Sequence, residues 1–189
     1  MSDKLTQLRK KIDSLDERLQ TLLNERAALA QEVAVAKNES KHESNLHDAS
    51  NINFYRAERE AQVLEKVKSR NTGPFSDEEV ARLFREVMSA CLALEQVMNI
   101  AFLGPAGTFT QSAALKHFGH SVKTLPLASI SDVFREVESG NANYGVVPIE
   151  NSTEGVISHT LDQFMNSNLH ICGEVELRIH HHLLSAAND

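Results

Sequence analysis

The chain has 189 residues, of which 41% are hydrophobic, and a formal net charge of −7 at pH 7. This length suffices for one domain or two small ones with a real core, and the acidic balance argues against nucleic-acid binding, so an anionic substrate would need locally placed cations. No apolar run approaches the roughly 18 residues of a membrane span, and the N-terminus lacks a signal-peptide core. We therefore expect a cytoplasmic protein with no membrane partner, in which Cys91 and Cys172 are reduced.

The first half of the chain has the pattern of three helices. The first is predicted from residue 5 to about residue 37, with apolar residues at three-four spacing, and the second over residues 55–68. Residues 38–54 between them are polar and predicted to form a long loop, either mobile or a lid. The residues SDEE at 76–79 form a capping box that begins a third helix, which is predicted to run to residue 98. Three helices of such unequal length cannot bury so long an apolar stripe, so a homodimer is predicted.

The second half has the pattern of an α/β domain, beginning after residue 97. The predicted strands are 100–103, 144–149 and 171–184, and the predicted helices are 111–118, 131–139 and 159–164. This set makes about half of an ordinary α/β domain. The predicted organisation is therefore a helical domain over residues 1–97 and an incomplete α/β domain over residues 98–189.

Charged side chains occupy positions of the helical half where packing residues are expected. Arg26 takes the slot that continues the apolar repeat of the first helix, and Lys37 lies about three turns further on, on nearly the same face. The other two helices add Arg59, Glu60, Cys91 and Glu95. Such a set could bind a small dianion, with arginines on its carboxylates and a lysine on an oxygen that gains charge. An arginine in a heptad slot is also typical of an interhelical ion pair, and the pattern alone leaves that alternative open.

Taken together, the motifs of this half resemble the all-helical chorismate mutase family. LRKKIDSLDERLQTLLNERAALAQEVAVAK, YRAERE and VARLFREVMSACLALEQ stand in that family's order between residues 5 and 96. The resemblance implies an intertwined three-helix dimer that rearranges chorismate to prephenate without a cofactor or a metal. The residues it implies for substrate binding are Arg26, Lys37, Arg59 and Glu60 of one subunit, with Glu60 facing the substrate hydroxyl, and Arg9 borrowed from the partner.

The sequence departs from the family's pattern at three places. The connection from Lys37 to Arg59 is longer, and Arg56 stands where other members have an aspartate. Many members place a glutamine near the ether oxygen of chorismate, whereas this chain has Glu95, with Cys91 replacing a small hydroxyl residue one turn earlier. Glu95 can donate a hydrogen bond only when protonated, so we predict that mutase activity declines as pH rises. The predicted catalytic residues are Lys37, Glu95 and Arg26.

Two turns of the α/β half are candidate ligand sites. GPAGT at 104–108 joins a strand to a helix in a geometry that suits anions, but it lacks the Gly-Lys-Ser/Thr of a P-loop and is more often a plain turn. Glu150 and Asn151 begin a polar turn, continued by Ser152 and Thr153, after a buried strand, where open α/β sheets bind ligands, although such turns are more often only caps. The histidines at 180–182 would present only two side chains on one face of a strand, so no metal site is predicted.

Three segments of this half together resemble the start of prephenate dehydratase, a two-lobed fold similar to periplasmic binding proteins: AFLGPAGTFTQSAA, GNANYGVVPIENSTEGVISHTLD and GEVELRIHHHLL. The order of the two halves resembles the bifunctional chorismate mutase/prephenate dehydratase family of phenylalanine synthesis. Thr108, Glu150 and Asn151 are then implied to line a prephenate cleft. The family's Thr-Arg-Phe motif and ACT regulatory domain do not occur in these 189 residues, so we expect a truncated product or a fragment of a longer gene: a complete mutase and a dehydratase that forms no phenylpyruvate.

Two alternatives belong to other functional classes. The second half could be a non-catalytic lobe that binds small anions, attached to a helical dimerisation domain. A ligand-sensing transcription regulator fits less well, because the first helix is too long for a compact helix-turn-helix and the chain is acidic. Turnover of chorismate separates the enzyme from both alternatives.

Overall fold

The structure, a computed structural model, describes residues 2–43, 55–151 and 155–180. These residues form two compact units. The first contains the described residues of Met1–Met98 together with Phe118–Lys123, and the second contains Asn99–His117 and the described residues from Thr124 onward. The predicted change from a helical region to an α/β region is confirmed.

Three helices form most of the first unit: α1 (Ser2–Glu43), α2 (Ala57–Ser69) and α3 (Asp77–Ala93). Helix α1 continues past the predicted end at Lys37, because the following residues NESKHE contain neither glycine nor proline to stop it. The prediction that a loop begins at residue 38 is therefore wrong as far as Glu43. The rest of that predicted loop, residues 44–54, lies outside the described residues.

Helix α3 begins where the capping box predicts and ends earlier than predicted. The Ser76 hydroxyl accepts a hydrogen bond from the Glu79 backbone N–H at 3.2 Å. At the other end, the Leu94 and Glu95 N–H groups bond the carbonyls three residues before them, at 3.3 and 3.0 Å. This tightening is typical of a last helical turn, so the residues up to Met98 leave the helix.

The apolar stripe of α1 is exposed along most of its length. Its members are 47–60% exposed: Leu5, Leu8, Ile12, Leu15, Leu19 and Leu22. Helices α2 and α3 pack against each other and bury Leu64, Val67, Ala81 and Cys91, whereas Ala34 is the buried side chain among the described residues of α1. A single chain therefore leaves this face of α1 without a packing partner among the residues that the structure describes.

The second unit is built on a three-stranded sheet in the order β2-β1-β3, with β1 at Asn99–Leu103, β2 at Lys123–Leu127 and β3 at Tyr144–Val146. Strands β1 and β3 are parallel, with Ile100 opposite Tyr144 and Phe102 opposite Val146. The helices are α4 (Phe109–Phe118), α5 (Ile130–Glu138) and α6 (Ser158–Asn166), all within two residues of the predicted bounds. The sequence pattern does not predict strand β2, because Pro126 within KTLPL weakens it. An edge strand tolerates proline.

The core of this unit lies between the sheet and α5. Ile100, Ala101 and Phe102 of β1 are fully buried, and Val133 of α5 is 1% exposed. Gly145 of β3 permits the close approach of the helix, because a Cβ there would lie 2.8 Å from Val133 Cγ1. The continuous apolar run of β1 is therefore buried on both faces, as in parallel sheets generally.

Two predictions for the end of the chain are wrong in part. The strand predicted over 144–149 ends at Val146, and Glu150–Asn151 (β4) pairs instead with Gly155–Val156 (β5) in a short antiparallel hairpin. Residues 171–180 contain no strand, and Ile171 is 72% exposed. Apolar alternation cannot form a strand there, since no neighbouring strand among the described residues supplies backbone partners. Residues 181–184 lie outside the described part of the chain.

Candidate functional site

Lys37 and Glu95, two of the predicted catalytic residues, lie within electrostatic range of each other in the first unit. Lys37 is near the end of α1, Glu95 is in the turn after α3, and both are half-buried. Burial raises the pKa of the Glu95 carboxyl above its ordinary value, and the Lys37 ammonium offsets part of that rise. The contact between α1 and α3 thus brings together the Lys37 ammonium, a hydrogen-bond donor, and the Glu95 carboxyl, whose pKa is raised by burial.

The three predicted substrate-binding arginines have no anionic partner in the described ranges 2–43, 55–151 and 155–180. Arg26 is half-buried on α1, Arg9 is exposed on the same helix, and Arg59 is exposed on α2. No ion pair involves any of them within these ranges. The alternative of an interhelical ion pair for Arg26 is therefore not realised among these described residues.

Glu60, the residue predicted to face the substrate hydroxyl, is held by an arginine that is not among the predicted site residues. Arg85 Nε on α3 donates to Glu60 Oε1 at 3.2 Å, and the two side chains are 26% and 16% exposed. Burial raises the pKa of Glu60, while the hydrogen bond and charge of Arg85 and a hydrogen bond from the Tyr55 hydroxyl lower it. An ionised carboxylate has about four acceptor sites, so Glu60 can still accept a further hydrogen bond.

A signal for Arg85 is present in the sequence. It lies four residues after Ala81 and four before Ser89, both of which are buried on α3. Residues four apart share one face of a helix, so an arginine at this position has to enter the packed face. A cation on a packed face needs an anionic partner to offset the cost of its burial, and Glu60 is the partner of Arg85.

Cys91 and Ser89 lie on the buried side of α3. Cys91 is 6% exposed, and both it and the exposed Cys172 are free. The Ser89 hydroxyl oxygen is buried without a hydrogen-bond partner among the described residues. Cys91 thus lies in the packed interior, one turn before Glu95. Within the described ranges, no hydrogen bond links Cys91 to another predicted site residue.

The Gly-rich turn after β1 satisfies several of its own polar groups. The Thr108 hydroxyl contacts the Leu103 carbonyl at 3.4 Å and the Gln111 N–H at 3.5 Å, and so caps α4. The Gly107 N–H, a candidate donor to an anion, donates instead to Gln111 Oε1 at 2.7 Å. Gly107 has a φ of +85°, which glycine adopts readily. Of the two alternatives for this turn, an anion site or a plain strand-to-helix turn, the hydrogen bonds therefore favour the plain turn that caps α4.

Glu150 and Asn151 lie on the β4–β5 hairpin, and both are exposed. Thr160 of α6, which is fully buried, donates its hydroxyl to the Pro148 carbonyl at 2.7 Å and fixes the chain just before the hairpin. No hydrogen bond joins Thr108 to Glu150 within the described residues. The neighbouring polar residues Ser152 and Thr153 lie outside that part of the chain.

Of the three histidines considered as metal ligands, His180 is exposed, and His181 and His182 lie outside the described residues. Within the described ranges there is no group of three His, Cys, Asp or Glu side chains that could hold a metal ion. The described helices also include none long and apolar enough to cross a membrane.

Comparison with known proteins gives two family matches along the chain. Residues 8–96 match the family described as chorismate mutase type II, and residues 100–189 match the family described as prephenate dehydratase.

Curated relatives combine both families in one chain. The bifunctional chorismate mutase/prephenate dehydratases of Stutzerimonas stutzeri and Pseudomonas aeruginosa are 59% and 58% identical to this chain over 183 and 182 residues. These alignments cover 97% and 96% of this chain and 49% and 48% of the relatives, so the chain spans about half the length of the curated relatives it matches. A solved structure of prephenate dehydratase from Streptococcus mutans is 38% identical over 37% of each chain, with a TM-score of 0.35.

Proposed function

We propose that the helical half of this chain converts chorismate to prephenate. Residues 8–96 belong to the chorismate mutase type II family, and residues 100–189 belong to the prephenate dehydratase family. The proposed boundary between the two halves follows residue 97. The observation that carries this proposal is the proximity of Lys37 and Glu95, because it joins α1 and α3 at the two positions that the family motif assigns to the breaking ether bond.

The rearrangement is unimolecular, so the site has to hold a reactive conformer and stabilise charge that develops on the ether oxygen. In the proposed mechanism the Lys37 ammonium donates to that oxygen, and protonated Glu95 donates a second hydrogen bond. Burial favours the protonated form of Glu95, which agrees with this role. Lys37 lies on α1 and Glu95 in the turn directly after α3, so both proposed donors are in place before the substrate arrives and little reorganisation is needed at the transition state.

The two carboxylates of chorismate require cations that no protein carboxylate already neutralises. Arg26 and Arg59 meet this condition in the described part of the chain, where neither forms an ion pair. Guanidinium groups bind carboxylates with two parallel hydrogen bonds, which fixes the orientation of the substrate as well as its charge. Glu60 is proposed to accept from the substrate hydroxyl.

A homodimer completes the proposed site. The stripe of α1 defined by Leu5, Leu8, Ile12, Leu15, Leu19 and Leu22 is exposed, and a second copy of the same helix is its proposed occupant. Burying such a stripe is favourable at about 25 cal/mol per Å² of apolar area. In this arrangement Arg9 of one subunit reaches the site formed by Arg26, Lys37 and Arg59 of the other.

The first test is turnover. Purified protein should consume chorismate, followed by its absorbance, and Arg26→Ala should abolish consumption without changing the dimer mass measured by light scattering. Arg18→Ala is the matched control, since Arg18 is an exposed arginine on the same helix, and this variant should keep its activity. Equal activity of both variants would remove Arg26 from the site, and no consumption by the unaltered protein would overturn the proposed function.

The second test examines the shared site. Arg9→Ala and Arg26→Ala are each expected to be inactive, but a mixed dimer places both changes in one site and leaves the other intact. After unfolding and refolding a 1:1 mixture, about one quarter of the original activity should return, because half of the dimers are mixed and each has one intact site. A mixture that stays inactive would contradict an arginine borrowed across the dimer.

For the second half we propose that Thr108, Glu150 and Asn151 contact prephenate. Residues 1–189 contain no Thr-Arg-Phe motif, so we expect this chain to bind prephenate without forming phenylpyruvate. Phenylpyruvate formed from prephenate by the purified chain would show otherwise. We also propose a cytoplasmic location, which suits free thiols at Cys91 and Cys172.

A further inference from the structure

Tyr55 lies immediately before α2 and is in contact with an aromatic ring from much later in the chain. Its ring centroid is 5.6 Å from that of Phe118, with the planes at 59°. Both residues are buried, at 7% and 5% exposure, and both belong to the first unit. A buried tyrosine needs a partner for its hydroxyl.

The partner of the Tyr55 hydroxyl is Glu60. This hydrogen bond lowers the pKa of Glu60, whose burial raises it, and Arg85 on α3 lowers it as well. Arg56 and Arg59 are the cations nearest to Glu60 in the sequence, and the Glu60 N–H donates to the Arg56 carbonyl at 3.0 Å. The Tyr55 hydroxyl and the Arg85 guanidinium therefore both orient the Glu60 carboxylate. Arg85 lies on α3, whereas Tyr55 lies just before α2.

The segment Phe118–Lys123 is itself fixed against α3. The His120 N–H donates to Glu86 Oε2 at 3.0 Å, and its ring Nδ1 lies 2.8 Å from Glu86 Oε1. Gly119, with a φ of +79°, comes so close to α3 that a Cβ would lie 2.5 Å from Ser89 Cβ. These contacts fix the backbone next to Phe118, a residue that is 5% exposed and whose ring packs on the ring of Tyr55.

We propose that Tyr55 is a positioning residue of the mutase site, which orients the Glu60 carboxylate toward the substrate hydroxyl, and that Phe118 holds the Tyr55 ring in place. This inference rests on the proposed function, in which Glu60 contacts chorismate. It assigns to a segment beyond residue 98 a part in the geometry of a site made by the three helices. Tyr55 and Phe118 do not contact the reacting atoms in this proposal.

The experiment compares Tyr55→Phe, which removes the hydroxyl and keeps the ring, with Phe118→Leu, which removes the ring and keeps an apolar side chain. Matched controls come from the second unit. They are Tyr144→Phe, at the only other tyrosine of the chain, and Phe164→Leu, which breaks the edge-to-face pair of Phe134 and Phe164. All are made in the 189-residue chain, and kcat and KM for chorismate are measured against pH.

Tyr55→Phe should shift the acid limb of kcat/KM to higher pH, because without the hydroxyl Glu60 is protonated more readily and then accepts less well. At pH values on the acid side of this limb, kcat/KM of Tyr55→Phe should be lower than that of the unaltered protein by a factor on the order of ten, as expected for the loss of one hydrogen bond to a charged group. The loss should appear mainly in KM, since the substrate hydroxyl is bound equally before and during the reaction. Phe118→Leu should give the same change to a smaller extent, and the controls should give none.

A second measurement separates this inference from the proposed function. In protein labelled with ¹³C at the glutamate carboxyl, the Glu60 resonance should titrate at higher pH in Tyr55→Phe than in the unaltered chain, whether or not chorismate is consumed. An unshifted Glu60 titration, or an active Tyr55→Phe variant with an unchanged acid limb, would overturn the positioning role. Absence of turnover in the unaltered chain, with the titration shifted, would instead overturn the proposed function.

Discussion

Glu60 on α2 and Arg85 on α3 form the mostly buried ion pair between these two helices, with Arg85 Nε 3.2 Å from Glu60 Oε1. The same α3 carries Arg82, which pairs with Glu79 at 2.6 Å on the exposed surface. The two arginines are three residues apart and differ mainly in burial. They therefore separate the effect of a buried charge pair from that of a surface pair.

Arg85→Met should destabilise the first unit at neutral pH by about 2 kcal/mol, because it leaves the Glu60 carboxylate buried without its cation. The loss should shrink as the pH falls, since burial already raises the pKa of Glu60 and the neutral acid needs no cation. Urea unfolding between neutral pH and about pH 4 measures both effects. Arg82→Met, the matched control, should change stability little, because exposed pairs contribute little. Equal losses from both variants would contradict this account.

Glu95→Gln should flatten the pH dependence of chorismate turnover. In the unaltered protein the rate should decline as the pH rises through the raised pKa of Glu95, because the ionised carboxylate cannot donate to the ether oxygen. An amide donates at every pH, so the variant should lose this decline. Glu78→Gln, at an exposed position in the first turn of α3, serves as the control and should keep it. An unchanged profile in Glu95→Gln would remove Glu95 from the mechanism.

Gly119→Ala should destabilise the protein more than Gly140→Ala. The two glycines have φ of +79° and +77°, so both variants bear the cost of a left-handed alanine, roughly 1–2 kcal/mol. At Gly140 a Cβ meets nothing within 4 Å, whereas at Gly119 it would lie 2.5 Å from Ser89 Cβ. The difference in unfolding free energy between the two variants therefore measures the packing of the 118–123 segment on α3. Equal unfolding free energies for the two variants would show that the 118–123 segment moves away from α3 at no cost in stability.

His120→Ala should weaken the protein at neutral pH and lose its effect in acid. Burial raises the pKa of Glu86, but the hydrogen bonds from the His120 N–H and ring outweigh it and leave the pKa below its ordinary value. Such a carboxylate stabilises the fold above its unfolded pKa, about 4.3, and that stabilisation is lost as the pH falls through the lower folded value. Stability curves against pH for His120→Ala, with the exposed His159→Ala as control, check this. A pH-independent difference would exclude Glu86 as the group responsible.

Local patterns in the sequence were sufficient to predict the order of most helices and strands, the capping box at Ser76 and the change of class near residue 98. Apolar spacing, helix caps and turn residues are short-range features, which each segment carries alone. The family motifs pointed to Lys37 and Glu95, and the fold brings these two side chains within electrostatic range of each other, while their catalytic roles stay a prediction. Where the local pattern was ambiguous the prediction failed, as for the strand containing Pro126 and the alternating residues 171–180.

Which side chains meet across the chain depended on the packing of the folded protein. Arg85 pairs with Glu60, and Phe118 packs on Tyr55, although 25 residues separate the first pair and no repeat or motif links the second. Such contacts cannot be read from local patterns, because the free energy of burying an ion pair or a ring is gained only in the folded arrangement. The sequence supplies the charges and rings, and their partners are chosen by the packing.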